Sequence, residues 1–489
     1  MARQARLLDK AALAAFLLLI PTSAWAGGFV LYEFGAGATG RCGAQTATAE
    51  DATILFFNPA AMTRLPGTQL AAGVSLIKPF SSYEAEGKAR NPLSIRMGPN
   101  GEARQVEVTD GTHDTDQEPA LFYPPHLYVT HRLGESLGLG FAFHTPYGLG
   151  VDYPRRWDGR YLIKQVNLQT LVFNPNVAVD LAPLLGLSGM HLSLSAGYMA
   201  IYGMALLDKN IDLRGLAQYN PGPSFPANEA DLDGNVRMEG DGWAHSFNLA
   251  LHFELPQLLG FGVQYRHPYT LDFEGNAEFT VPSWFSNLSF MGEMLPRFPD
   301  TTGKTSMNMP GLINMGVALL AIPNLVLEVD LILEDWRDYE ELKLEWACND
   351  AGDKDYNCKI PEEPIAKDWE YNYQVNVGAQ YTLSNGLALR LGAGRVGTPV
   401  PEETFDPMLP DGERTLLSAG LGYPFTDDLR VDFGYLLAFW EGKKTGEKKK
   451  DGTYVNDMGI EEGSAPNGMA VGTYTTSSHI FALTVGAKF

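Results

Sequence analysis

Two patterns in this 489-residue chain carry residue types and spacings that could do chemistry. Gly134-Glu-Ser136-Leu-Gly138 has the spacing of an esterase nucleophile elbow. That elbow needs a helix directly after the serine, and here the flanks read as two strands joined by a turn. Gly35-Ala-Gly-Ala-Thr-Gly40 satisfies a dinucleotide fingerprint. It lacks the surrounding βαβ unit, and Glu50 and Asp51 follow too early to reach a ribose. The histidines show no paired spacing for zinc. With no nucleophile placed near a base, the expectation is a protein that is not an enzyme and needs no cofactor or metal. Two features of the cysteines and charges remain. Cys348 and Cys358 share one acidic stretch and are expected to form a disulfide in an oxidising exterior, leaving Cys42 as a small buried residue. Arg266 shares the polar face of a strand with Gln264. It could meet a ligand carboxylate or pair with Glu328 or Asp330, and both readings stay open.

The elements that must hold these residues are strands. From Tyr371 to Tyr381, one face is Tyr371, Tyr373, Val375, Val377, Ala379 and Tyr381; the other is Asn372, Gln374, Asn376, Gly378 and Gln380. Strand side chains alternate faces, so each such segment has an apolar wall and a polar wall. A soluble sandwich and a barrel with lipid outside and water inside both fit this pattern. The ends of the chain separate them. Arg3, Arg6 and Lys10, then the apolar run Ala11–Ile20, then Ala24-Trp25-Ala26, read as a secretion signal over residues 1–26. Its removal takes away three basic residues and one acidic residue, moving the net charge from -22 to -24. The last strand places Phe481, Leu483, Val485, Ala487 and Phe489 on one face. A terminal aromatic resembles the signal that the barrel-assembly machinery reads in bacterial outer-membrane proteins. The expected location is therefore the bacterial outer membrane.

Composition excludes other classes. No mature segment approaches the roughly 18 unbroken apolar residues of a membrane helix; the best, Val317 to Leu333, contains Pro323, Asn324, Glu328 and Asp330. The negative charge argues against nucleic acid as a partner. Alternation and turn residues predict an all-β fold, a transmembrane antiparallel β-barrel of about 14 strands from near Gln69–Glu84 to near Tyr474–Phe489. Short connections such as Ser384-Asn385-Gly386 alternate with long ones over 85–118, 207–235, 282–304, 347–368 and 441–470. That asymmetry matches periplasmic turns against exterior loops. Residues 67–489 are thus assigned to the barrel. Residues 27–66 lack alternation. A short helix is expected over Ala44–Asp51, and Ile54-Leu55-Phe56-Phe57 favours burial in the lumen as a plug.

Specific residues then carry a family resemblance. Gly28-Phe29-Val30-Leu31-Tyr32-Glu33, Glu50-Asp51-Ala52 and Phe57-Asn58-Pro59-Ala60-Ala61-Met62 resemble the N-terminal hatch of the FadL family, outer-membrane transporters of long-chain fatty acids and aromatic hydrocarbons. Thr145-Pro146-Tyr147-Gly148-Leu149-Gly150, Asp335-Trp336, Thr398-Pro399-Val400-Pro401 and Leu409-Pro410-Asp411-Gly412-Glu413-Arg414 extend the likeness along the mature chain. The resemblance implies a monomeric fourteen-stranded barrel stoppered by its hatch. Ligand would lodge in an apolar outer groove, pass to a lumenal pocket and leave sideways through the wall.

On that view Phe29 and Leu31 are the hatch residues expected to meet the hydrophobic ligand. The family's fatty-acid members resemble one another in a basic residue two positions after the tyrosine of the fifth strand. Here Met204 follows Tyr202-Gly203, which leaves an uncharged ligand open. Trp284, Phe285, Leu288, Phe290, Met291, Met294, Leu295 and Phe298 crowd one outer loop. They are either a groove for ligand or a loop packed on its neighbours. Asn58, Pro59 and Ala60 form either a stop where hatch meets wall or a plain helix-ending turn. Gly148 and Gly150 mark either a bulge that opens the wall or an ordinary strand end. Lys443–Lys450 could pair with lipopolysaccharide phosphates or remain solvent-facing. A lipid-acting enzyme and a general porin are the alternative functions.

Overall fold

The computed structural model describes residues 28–85, 94–97, 103–106, 114–155, 157, 159–211, 213, 233–283, 285, 289–290, 293–294, 298–349, 364–440, 442–444 and 472–489. Residues 1–26, the expected secretion signal, lie outside them. The segment with the strongest alternation shows how the molecule is built. In the strand Tyr371–Thr382, the polar residues Asn372, Gln374, Asn376 and Gln380 are buried, at 0–6% exposure. Tyr371, Val377 and Tyr381 are 38–51% exposed. A soluble sandwich would bury the opposite face. The apolar side here faces out, as lipid requires.

Fourteen antiparallel strands close the barrel. They are β1 (Thr68–Ala85), β2 (Pro125–Leu133), β3 (Leu137–His144 and Gly148–Asp152) and β4 (Gln165–Asp180). Next come β5 (His191–Ile211), β6 (Gly234–Leu255), β7 (Leu259–Arg266 and Tyr269–Thr280) and β8 (Thr301–Met309 and Gly311–Ile322). The remainder are β9 (Leu325–Asp335), β10 (Tyr371–Thr382), β11 (Ala388–Val396), β12 (Arg414–Pro424), β13 (Leu429–Trp440) and β14 (Gly472–Lys488). Closure runs from Gln69↔Lys488 to Ala85↔Gly472 between β1 and β14, so no sheet edge is left unpaired there. The interruptions in β7 and β8 lie side by side at Pro268 and Pro310, where a ring replaces the ladder's amide hydrogen. Short turns join the strands at one rim. Gly134, Asn324 and Gly386 there have positive φ, which tight turns demand. The serine of the esterase-like pattern, Ser136, sits in the β2–β3 turn.

Inside the barrel lies the N-terminal segment, residues 28–66. It contains α1 (Ala36–Thr39), α2 (Ile54–Phe57) and a 3-10 turn, Pro59–Arg64. Ile54, Leu55, Phe56 and Phe57 are all buried. The dinucleotide-like glycine run forms α1, packed against β12, β13 and β14. The helix expected over Ala44–Asp51 is absent. The backbone amides of Gln45 and Thr46 instead donate to Asp330 Oδ2 at 3.0 and 2.9 Å, and that of Ala47 to Glu328 Oε1 at 2.6 Å. Bonds to these buried carboxyl groups outweigh those that a single helical turn would offer.

Candidate functional site

The first described residues of the chain join the broken part of β3 through one antiparallel bridge, Val30↔Tyr147. Leu31 N donates to Pro146 O at 2.8 Å and Gly148 N to Phe29 O at 3.2 Å. At this height β3 leaves β2. Their ladder stops at Leu127↔Phe143, and the next link is Glu118 N to Asp152 O at 2.8 Å. On its other side β3 stays paired with β4, from Gly148↔Gln169 to Asp152↔Gln165. Among the described residues, the wall beside β3 is therefore interrupted on its β2 side and not on its β4 side. Both glycines of the interruption are sites of close approach. A Cβ on Gly150 would overlap the Phe122 ring, and one on Gly148 would come within 3.0 Å of Leu31 Cδ1.

Two cavities meet behind this interruption. The inner one, about 420 Å³, is bounded by residues 28–33, Ile77, Phe122 and Gly148–Val151. The outer one, about 120 Å³, is lined by Phe273, Met307, Leu342, Trp346, Trp369 and Met408 among others. Phe29, Leu149, Asn167, Leu168 and Leu409 line both. Phe29 is seated edge-on against Trp336 at 4.8 Å between ring centroids, with Trp369 at 5.8 Å and Tyr147 at 6.0 Å. Gly28 makes this seat possible: its φ is +60°, and a Cβ would lie 3.1 Å from Trp336 and 3.2 Å from Trp369. An aromatic ring on the N-terminal segment thus separates two largely apolar chambers.

Buried acidic and basic side chains fasten that segment to the wall. Glu328 takes Arg41 at 3.7 Å and Thr48 Oγ1 at 2.5 Å, while Asp330 accepts from Thr46 Oγ1 at 2.7 Å. Both carboxylates are occupied by the N-terminal segment, so the expected pairing of Arg266 with either is corrected. Arg266 donates instead to Phe56 O and lies 4.2 Å from the Phe56 ring centroid. It lines neither cavity. Farther round, Arg390 bridges Glu50 at 3.0 Å and Asp432 at 2.6 Å. Burial would raise the Glu50 carboxyl, but the guanidiniums of Arg41 and Arg390 prevail and hold it at about 2. For Glu33, burial prevails and the carboxyl sits above its usual range.

Leu31 and Phe29 line the inner cavity. Met204 does not point inward: it shares its face of β5 with Tyr198, which is 51% exposed, while Met199 and Ile201 on the opposite face are buried. A one-residue step flips the face, and the position two after Tyr202 keeps that tyrosine's outward direction. Asn58 sits between α2 and the 3-10 turn, against the wall. Its side chain accepts from Ala60 N at 3.1 Å, capping the 3-10 turn that begins with Pro59, and donates to Leu251 O of β6 at 3.0 Å. Phe285 is buried, its ring 5.7 Å from that of Phe298, which also stacks on Phe279; these two pack on neighbours and line neither cavity. Trp284, Leu288, Met291 and Leu295, and the side chains of Phe290 and Met294, lie outside what the structure describes. Cys42 is free and buried, and Cys348 is disulfide-bonded. Cys358 lies outside the described residues, as do residues 445–450 of the basic stretch.

Sequence reasoning missed the actual outer cavity. Alternation predicts a ninth strand over Leu325–Trp346, which takes in Leu342, Leu344 and Trp346 although they stand on the even positions that carry Glu328, Asp330 and Glu334 earlier in the run. The strand in fact ends at Asp335, and the chain after it turns inward to Trp336, Tyr339 and Leu342.

The chain resembles known proteins along its whole length. A family model described as outer membrane protein transport protein (OMPP1/FadL/TodX) matches residues 17–489. A long-chain fatty acid transport protein of Salmonella typhi is 24% identical over 448 residues, covering 91% of this chain and 94% of the relative. Among solved structures, a Pseudomonas aeruginosa FadL homologue aligns with a TM-score of 0.73 at 18% identity, over 95% of this chain and 100% of that one. The Pseudomonas putida toluene transporter TodX aligns at 0.63 and 14%, over 94% and 99%. These matches, with the inside-out strands and their closure, place the chain in the bacterial outer membrane as a member of the OMPP1/FadL/TodX family of outer-membrane transport proteins.

Proposed function

We propose that this protein takes up long-chain fatty acids or other hydrophobic molecules passively, catching them in the outer cavity, passing them by Phe29 to the inner one and releasing them sideways between β2 and β3. The observation that carries this reading is the shared lining of the two cavities at Phe29, with the inner cavity abutting the only described place where β3 leaves β2. Relatives named for long-chain fatty acids and for toluene support the ligand class. The physics agrees. An apolar solute gains nothing from a water-filled pore but gains roughly 25 cal/mol for each Å² it buries. Release into hydrocarbon then needs no energy source beyond the gradient. Residues 27–66 act as the hatch, held by the Glu328, Asp330 and Arg390 contacts, and Gly148 and Gly150 leave the wall thin enough for exit.

Uptake of labelled oleate and labelled toluene by cells carrying the full chain, or the chain without residues 27–58, tests the reading. Both ligands should enter with the full chain, and small sugars should pass only after the deletion. Sugar passage through the full chain would make it a porin. Lipid hydrolysis by the purified barrel would make it an enzyme.

A further inference from the structure

The outward face of the barrel changes character along one row of β1 and β14. Below that row the facing pairs are apolar, Val74 opposite Leu483 and Leu76 opposite Phe481. Above it they become polar, Ser82 opposite Thr475 and Glu84 opposite Thr473. The row itself is Lys78 opposite His479. Lys78 stands ten residues beyond Thr68, where β1 begins at the short-turn rim. Ten residues at about 3.3 Å each, tilted by roughly 40°, climb about 25 Å, the height of a lipid-facing band. Short turns mark the periplasmic rim, so the row lies at the outer-leaflet interface. On β6 the exposed Trp243 and His245 stand twelve and ten residues above the lower end of the strand, Leu255, as an interfacial belt at this level requires.

The charge of Lys78 is unanswered within the chain. On the outer side of the wall, Arg237 reaches Glu239 at 2.6 Å, Lys304 Glu274 at 3.2 Å, Arg337 Asp335 at 2.9 Å and Arg395 Glu413 at 2.7 Å, whereas Lys78 meets no acid among the described residues. Its ammonium lies over the Phe80 ring, 5.1 Å from the centroid. Phe80 meets the His479 ring edge-on at 5.6 Å. From β13, the Tyr435 hydroxyl lies 2.9 Å from His479 Nδ1. With that hydroxyl donating, Nε2 carries the ring hydrogen and is a second donor, on the cross-strand neighbour of the ammonium. Rings thus orient both donors at the upper edge of the hydrocarbon. A cation there is costly without an anion, and the outer leaflet offers one in the phosphates of lipid A, set directly above the acyl chains. Acyl chains also have a surface to lie on. Phe122 bridges Ile77, which brings the exposed Leu121 and Tyr123 alongside β1, and Leu76, Phe481 and Leu483 are exposed as well.

We propose that Lys78 and His479 form a site on the outside of the barrel for a phosphate of lipid A, with Phe80 and Tyr435 orienting the two donors. The acyl chains lie below, over Leu76, Tyr123, Phe481 and Leu483. The site needs only the closed barrel and its place in the outer membrane, and stands whether or not the uptake reading does.

The test titrates the purified full-length barrel, in a non-ionic detergent, with diphosphoryl lipid A, dephosphorylated lipid A, phosphatidylglycerol and inorganic phosphate. The natural chain should bind diphosphoryl lipid A about fivefold or more tighter than the other three. K78Q should weaken it by about fivefold, the worth of one interfacial lysine near an anionic head. H479F, which keeps a ring but removes its donor, should weaken it further when combined with K78Q. K78R should hold the affinity, because a guanidinium also pairs with phosphate, and this shows that loss of fold is not the cause. K304Q, at a cation that already has its acid, should change nothing. Equal binding by the natural chain and K78Q overturns the site, as does a K78R as weak as K78Q or equal binding of dephosphorylated lipid A. Phosphatidylglycerol or inorganic phosphate bound as tightly as lipid A overturns the choice of occupant.

Discussion

The Arg390 guanidinium on β11 lies 3.0 Å from the Glu50 carboxylate of the N-terminal segment, while its other arm reaches Asp432 on β13 at 2.6 Å. One buried cation thus joins the N-terminal segment to two strands of the wall. Breaking such a pair from one side leaves a charge without a partner, at roughly 3–5 kcal/mol.

This junction should be sensitive to acid. The Glu50 carboxyl stands at about 2 against a usual 4.5, so its folded pKa is depressed. The stabilisation it confers is complete above about pH 4.5 and is lost as pH falls toward 2, about 3 kcal/mol in all. Cys42, 2% exposed, reports the plug's release. Its reaction with dithiodipyridine, relative to a free cysteine peptide, should rise about a hundredfold between pH 5 and pH 2.5. E50Q should show much of that rise already at pH 7. A relative rate flat across this range removes the junction from the account.

Phe29 should behave as a partition. F29A joins the two cavities and should raise oleate uptake and shorten ligand residence several-fold. F29W, too large for the seat against Trp336 and Trp369, should slow uptake by a similar factor. Identical uptake by all three proteins would show that the ligand travels elsewhere.

The lipid-facing wall can be checked independently of transport. Val377 lies between Tyr371 and Tyr381 on the outward face of β10. V377R should destabilise folding into bilayers by about 2–4 kcal/mol, the cost of a cation near the bilayer midplane. D427R, in the turn before β13, should change it by no more than about 0.5 kcal/mol. Urea titration in vesicles measures both, and equal effects would contradict an outward apolar face.

Cys348 is disulfide-bonded, and Cys358 is our proposed partner. Peptide mapping without reductant should recover the two in one linked fragment, and C358S should free the Cys348 thiol. A linkage to Cys42 would refute the pairing.

Much of the barrel was readable because its cause is local. Asn372, Gln374 and Asn376 alternate with Tyr373, Val375 and Val377, and period-two geometry alone sends them to opposite walls. The burial of Ile54–Phe57 followed from apolarity without alternation. The unreadable parts depended on partners distant in sequence. Nothing near Ala44–Asp51 announces that Glu328 and Asp330, some 280 residues later, will take its amides and keep it from coiling. Met204 was misplaced because strand phase is set by the ladder with β4 and β6, and a motif read in isolation carries no phase.

The order of the residues alone determined that fourteen ribbons would form, that their greasy sides would face lipid and that a segment without alternation would precede them, because those outcomes follow from side-chain periodicity and turn chemistry. Only the closed barrel decided which charges meet, where β3 parts from β2, and that Phe29 and Arg414 border one chamber. Closure brings strands three hundred residues apart within hydrogen-bond reach, and contacts of that kind have no local signature.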